Sequence, residues 1–167
     1  MKECLAPILW PDSRILILGS LPGDESLRLQ QYYANPRNQF WAILASIHNE
    51  NIDANYDRRL SFLQDHGISL WDVVQRADRV GSLDAGIKNA TPNDFAQLFA
   101  RTPALRTIVF NGGTAARIFE RDVSRRIDPE QLQARQLISL PSTSPIPGRN
   151  VLTLGQKIEK WKIIARC

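Results

Sequence analysis

The sequence predicts an α/β fold: a three-layer α/β/α sandwich around a central four-stranded, mostly parallel sheet, built as one domain over residues 1–167. Three observations predict it. Four short, near-continuous apolar runs have the composition of strands buried on both faces. Helix-like segments alternate with them, which is how a parallel sheet is covered on each side. No repeat, low-complexity tract or linker-like stretch divides the chain.

The first strand is expected over residues 15–18, where Ile15, Leu16, Ile17 and Leu18 leave no polar position. Helices follow over residues 39–48 and 55–65, and Gly67 stands where a helix stop signal belongs. A second strand is expected over residues 68–74. Thr91, Pro92 and Asn93 make a plausible start for a helix over residues 93–101. A third strand over residues 107–110, a helix over 114–122 and a fourth strand over Gln136–Leu140 complete the alternation. The last helix is expected over residues 156–165, with Ile158, Trp161 and Ile164 on one stripe.

At 167 residues and 43% hydrophobic content, the chain can bury one sizeable core. Its net charge of +4 is compatible with a polyanionic partner without identifying one, and its arginines, which outnumber the lysines, suit phosphate contacts. No apolar run reaches the roughly 18–20 residues of a membrane helix. The stretch from Met1 to Trp10, broken by Glu3 and Pro7, lacks a signal-peptide core. The expected location is cytoplasmic, with no membrane partner. Cys4 and Cys167, at opposite ends, can supply neither four cluster thiolates nor a zinc-type Cys pair, so no metal and no cofactor are expected. His48 and His66 fall in or beside helices, away from the unusual loops. A Gly-x-Ser-x-Gly elbow and the zinc-deaminase elements are both absent.

Ligands of open α/β sheets bind beyond the carboxyl ends of the strands, and each expected strand is followed there by an unusual segment. Gly19-Ser20-Leu21-Pro22-Gly23 is either a plain turn or a small-residue loop that lets backbone amides approach a base or phosphate; it lacks the dinucleotide fingerprint. After it, Tyr32-Tyr33-Ala34-Asn35-Pro36-Arg37-Asn38-Gln39-Phe40-Trp41 sets aromatics, amides and an arginine before a helix. Such a cluster suits a planar polar ligand, with Phe40 and Trp41 expected in the core. A helix-capping residue is the alternative reading of Asn38. Asp72, at the second strand's end, is either a base-edge contact or a structural carboxylate, and Ser82 and Asp84 read as turn caps. Asn111, before Gly112-Gly113, offers a donor and an acceptor together, or caps a helix. Leu140-Pro141-Ser142-Thr143-Ser144-Pro145-Ile146-Pro147-Gly148-Arg149 is a proline-stiffened loop with hydroxyls.

Taken in order, these segments resemble the uracil-DNA glycosylase superfamily, nearest to its hypoxanthine-DNA (deoxyinosine) glycosylase branch, with the mismatch-specific uracil/thymine glycosylases next. The resemblance spans about residues 15–147. It implies a monofunctional base-excision enzyme that flips out a deaminated base and hydrolyses its N-glycosidic bond. On that basis Asn38 and Asn111 are the expected catalytic residues, and Tyr33, Leu21, Asp72 and Asn111 the expected base-binding set. Tyr33 stacks on the base and Asn111 reads its N–H/C=O edge. Ser142, Thr143, Ser144, Pro145, Ile146 and Arg149 are expected to bind DNA, with Ile146 as an apolar wedge. Two departures are visible. Leu21 stands where many relatives carry a water-positioning polar residue, and Leu140 where uracil-specific ones carry histidine. The first fits the hypoxanthine branch, and the second is a further departure from the uracil type. They are also the best argument for a non-catalytic damage binder. A uracil or mismatch-thymine glycosylase is the alternative enzyme, and an unrelated small-nucleotide α/β protein is the fallback. The implied partner is DNA containing a deaminated base, bound by a monomer.

Overall fold

The computed structural model describes residues Met1–Cys167. Strands β1 (Lys2–Glu3), β2 (Ile15–Gly19), β3 (Ile68–Asp72), β4 (Val74–Asp78), β5 (Lys88–Pro92), β6 (Thr107–Asn111) and β7 (Gln136–Leu140) form two sheets. The larger has the order β3-β2-β6-β7 with every neighbouring pair parallel. The helices are α1 (Asp24–Leu29), α2 (Phe40–His48), α3 (Tyr56–Asp65), α4 (Phe95–Arg101), α5 (Gly113–Ile118), α6 (Pro129–Gln133) and α7 (Leu154–Trp161).

Strand β2 shows why the layers form. Its successive side chains alternate between the two sheet faces. Ile15 and Ile17 join a core with Phe40, Ile43 and Leu44 of α2, Leu63 of α3 and Trp161 of α7. Leu16 and Leu18 join a second core with Phe95 and Phe99 of α4, Ala115 and Ile118 of α5, and Phe119. A central strand apolar at every position is what two covered faces require. At about 25 cal/mol per Å² of apolar area removed from water, these two clusters dominate the favourable side of folding.

Several local expectations change. The run expected as one strand over residues 68–74 is two. The chain leaves the large sheet after Asp72 and re-enters β structure as β4 of a small antiparallel sheet, order β1-β4-β5. Asn93 holds this corner: its Nδ2 donates to the Asp72 carbonyl at 2.8 Å and its N–H to the Val73 carbonyl at 2.9 Å. Thr91 and Pro92 close β5 instead of opening a helix. The cap of α4 is Asp94, whose carboxylate accepts the Gln97 N–H. The helix expected over residues 114–122 is α5 widened into a π-type turn over Phe119–Val123. Helix α7 begins earlier than expected, because Thr153 and Gln156 form a reciprocal capping box. No helix is long and apolar enough to cross a membrane.

Candidate active site

A cavity of about 720 Å³ opens at the carboxyl ends of β2, β3 and β6. The loop after β2, the Tyr33–Asn38 segment, Asp72, Asn111 and the loop after β7 all line it. The expected convergence is thus physical. The cavity is walled by backbone as much as by side chains, and hydrogen bonds between distant segments hold those walls.

The first wall is Gly19–Gly23. The Arg79 guanidinium, buried behind it, donates to the Leu21 carbonyl at 3.1 Å and to the Pro22 carbonyl. Ser20 Oγ donates to Asp84 Oδ1 at 2.6 Å, and the Asp24 N–H donates to Ser82 Oγ at 2.9 Å. Ser82 and Asp84 therefore do more than shape their own turn: they tie the β4–β5 connection to the first loop. Leu21 reaches the cavity, but its side chain is buried in the core with Leu16 and Leu18. Only a margin of it faces a ligand.

Asp72 sits on the cavity floor at the end of β3, and its Oδ2 is buried without a hydrogen-bond partner. A Cβ at Gly19 would lie 2.6 Å from its Oδ1, so any larger residue there would push this carboxyl aside. Burial pushes its pKa up to about 7, with Arg79 pulling down and Asp84 adding to the rise. At neutral pH a large fraction of Asp72 is therefore carboxylic acid, able to donate as well as accept.

Tyr33 adopts a left-handed backbone at φ 53°, which turns its ring under the segment before α2. Phe40 stacks on one face at 3.8 Å, with 19° between the planes. The Tyr33 hydroxyl accepts from Asn111 Nδ2 at 3.1 Å. Phe40 and Trp41 are buried, as their composition implied. Asn38 lines the cavity, and its Oδ1 accepts the Phe40 N–H at 2.9 Å. The helix-start reading of Asn38 and its place at the cavity are thus both seen in one side chain, with Nδ2 left unengaged.

Asn111, expected as reader of a base edge, lines the cavity and is also bonded within the protein. Its Nδ2 donates to Tyr33 Oη and to Thr143 Oγ1 at 2.9 Å, and its Oδ1 accepts the Thr143 N–H at 2.9 Å. With both amide protons used, this side chain clasps the end of β6 to the loop after β7. Thr143 is bonded likewise. Expected among the DNA contacts, it is 1% exposed, and its hydroxyl oxygen accepts from Asn111. Its carbonyl accepts the Gln39 N–H at 3.0 Å, which fastens the same loop to the start of α2.

Beyond Thr143 the loop rises to the surface. Ser142, Ser144, Pro145 and Ile146 border the cavity, and Ile146 is 42% exposed. Arg149 is exposed and lies outside the cavity lining. The indole N–H of Trp161 donates to the Pro141 carbonyl at 3.0 Å, anchoring the loop base on α7. Leu140 is buried in the core. Sequence reasoning missed two basic residues here, Arg79 and Lys157. Lys157, on α7, reaches the cavity with its ammonium bonded to Gln39 Oε1 and the Ser144 carbonyl. Each sits among other charged residues, and no local pattern separates a buried cation from a solvated one. No three His, Cys, Asp or Glu side chains come together as a metal-holding group.

A family model described as the Uracil DNA glycosylase superfamily matches residues 7–161. The chain belongs to this superfamily. Two curated members, each named a hypoxanthine DNA glycosylase, are similar to it. The protein from Methanosarcina acetivorans is 44% identical over 116 residues, covering 69% of this chain and 73% of its own. The protein from Methanosarcina barkeri is 43% identical over 112 residues, covering 66% and 71%. A solution NMR structure of a candidate uracil DNA glycosylase from Methanosarcina acetivorans superimposes with a TM-score of 0.81 at 36% identity, covering 99% of this chain and 96% of that one. Within the superfamily fold, this member keeps Leu21 and Leu140 as buried apolar residues at the two loops that frame the cavity.

Proposed function

We propose that this superfamily member is a monofunctional DNA glycosylase that removes a deaminated base, hypoxanthine first, by hydrolysing the N-glycosidic bond and leaving an abasic site. One observation carries the reading: a single cavity gathers a stacking ring, a free amide and a buried carboxyl beneath a protruding loop. The names of its curated relatives support the choice of base.

Base excision requires the nucleotide to leave the stack and enter a pocket. With Phe40 covering one face of Tyr33, the base stacks on the other. Asp72 reads its edge: a carboxylic acid supplies one donor and one acceptor, matching the C=O and N–H of hypoxanthine, and its unpartnered Oδ2 gains a bond when the base arrives. Asn111 acts through the others, holding the Tyr33 hydroxyl and the terminal loop in register. Asn38 orients the attacking water with its free Nδ2 and remaining carbonyl lone pair. An amide is too weak a base to take the water's proton before the bond breaks, so the transition state carries oxocarbenium character and charge flows into the leaving base. The water then adds to the sugar, and its surplus proton passes through solvent to the departed base anion. The acid form of Asp72 stabilises that charge. Lys157, already bonded to two acceptors, is not assigned as a Schiff-base nucleophile, and the product is expected to stay unnicked.

The test is excision from oligonucleotides carrying deoxyinosine, deoxyuridine, deoxyxanthosine or a G·T mismatch. Deoxyinosine strands are expected to break after alkali and to remain intact with protein alone. EDTA is expected to leave the rate unchanged, and a loss restored by metal would defeat the metal-free reading. Uracil excision faster by about tenfold, or 1.36 kcal/mol in barrier, would move the protein to the uracil-directed reading. Tight binding without excision would make it a damage binder.

Ile146 supplies a further test. An exposed apolar side chain on a loop anchored at Thr143 and Trp161 is suited to fill the gap left by the flipped base. Ile146→Gly is expected to weaken excision from duplex more than from single strands, because a wedge offsets an unstacking cost of a few kcal/mol. Equal losses on both substrates would remove the wedge from the mechanism.

A further inference from the structure

We propose that Lys157 binds a backbone phosphate of the DNA strand beside the flipped nucleotide, a binding site that rests on the glycosylase reading. Lys157 lies on α7 and is 3% exposed, yet no carboxylate lies within ion-pair distance of its ammonium. Its two partners are neutral: Gln39 Oε1 at 2.8 Å and the Ser144 carbonyl at 3.2 Å. An ammonium has three donors, so one is left over. A charge held away from water without an anion is costly unless something compensates it. Burial accordingly pushes the pKa of Lys157 down.

The position of the ammonium says what compensates it. It lines the active-site cavity, bridging the residue that follows Asn38 to the loop that carries Ile146. A strand whose base enters the cavity while Ile146 fills the duplex runs its backbone across the cavity mouth that these two joined segments border. Arg37, exposed on the same cavity wall, also has no carboxylate partner. Of the groups that enter with the substrate, hypoxanthine is neutral until its bond breaks. The phosphodiester is anionic throughout, so it matches an ammonium that has no anion beside it in the resting protein. Gln39 and Ser144 hold the ammonium in place before DNA arrives, so little side-chain entropy remains to be lost on binding.

The test measures affinity for deoxyinosine duplex at rising salt, for the wild-type protein, Lys157→Met and Lys157→Arg. Each phosphate neutralised contributes a slope of about −0.9 in log K against log salt. Lys157→Met is expected to make the slope shallower by about 0.9, and Lys157→Arg to restore it. A second measurement works on the DNA instead. Neutral methylphosphonates are placed singly around the deoxyinosine, and one position is expected to weaken the wild type while leaving Lys157→Met unchanged. A scan on wild-type protein with no sensitive position next to the deoxyinosine would overturn the proposal without needing any variant to fold. An unchanged slope with a lowered melting temperature would also overturn it and leave Lys157 as a strut between Gln39 and Ser144. A borohydride-trapped protein–DNA adduct lost in Lys157→Met would replace it with an amine nucleophile. Wild-type excision, assayed in the same buffers, reports separately on the glycosylase reading, since the salt slope is measurable even on DNA that is never cut.

Discussion

Asn38→Ala is expected to lower single-turnover excision of hypoxanthine by roughly 10²-fold or more, about 2.7 kcal/mol at 1.36 per decade. With Leu21 apolar and buried, and both amide protons of Asn111 committed, Asn38 is a cavity amide still free to hold a water. Affinity for deoxyinosine duplex should change little, because phosphate contacts dominate it. The same substitution removes the acceptor of the Phe40 N–H, so a stability loss of about 1 kcal/mol is expected beside the rate loss. Asn38→Asp keeps that acceptor and should recover the melting temperature, which separates the two effects. If Asn38→Ala melts early yet excises at the normal rate in its folded fraction, the residue is a cap and the water is held elsewhere.

The second large effect belongs to Asp72. Excision is expected to fall as pH rises above about 7, where the carboxyl loses its proton, by up to tenfold per unit if only the acid form assists the leaving base. Asp72→Asn keeps a donor and an acceptor without titrating, so its profile should be flat across that range. Asp72→Leu should lose activity at every pH. Stability carries the same signature. The folded pKa of about 7 lies above the ordinary value of 3.8, so the native state binds this proton more tightly than the unfolded chain does. The stabilisation is full below pH 4 and is lost as pH rises through 7. Three units correspond to about 4 kcal/mol, an upper scale for this one group. Asp72→Asn should therefore melt higher than wild type at pH 8 and lose that advantage near pH 4. A wild-type melting temperature that shows no such decline relative to Asp72→Asn would mean that the carboxyl is not desolvated.

The alternation of strands and helices was legible because burial on an element repeats with that element's own period. Ile15–Leu18 is apolar at every position, so its strand had to be covered on two faces, and the stripe Ile158, Trp161 and Ile164 had to face a core. The small antiparallel sheet was not legible: β1 has two residues, and β4 exposes most of its side chains. The edge of the sheet where the cavity opens was equally readable, because each strand's carboxyl end is a fact of chain direction.

By itself, then, the sequence determined the layers, the family-like motifs and their gathering at one edge, all of which depend on residues near one another in the chain. Only the tertiary structure decided what each polar side chain there does. Asn111 and Thr143 have the composition of ligand-binding residues, and the fold also bonds them to one another across 32 positions. Asp72 was readable as an acid, but its proton depends on the space that Gly19 leaves and on burial at the cavity floor. Lys157 meets Gln39 across 118 positions of chain. A side chain's periodic position says which way it faces. Its charge state and free valences depend on which distant atoms the folded chain brings within about 3 Å, because desolvation and hydrogen bonding act at that range and not along the sequence.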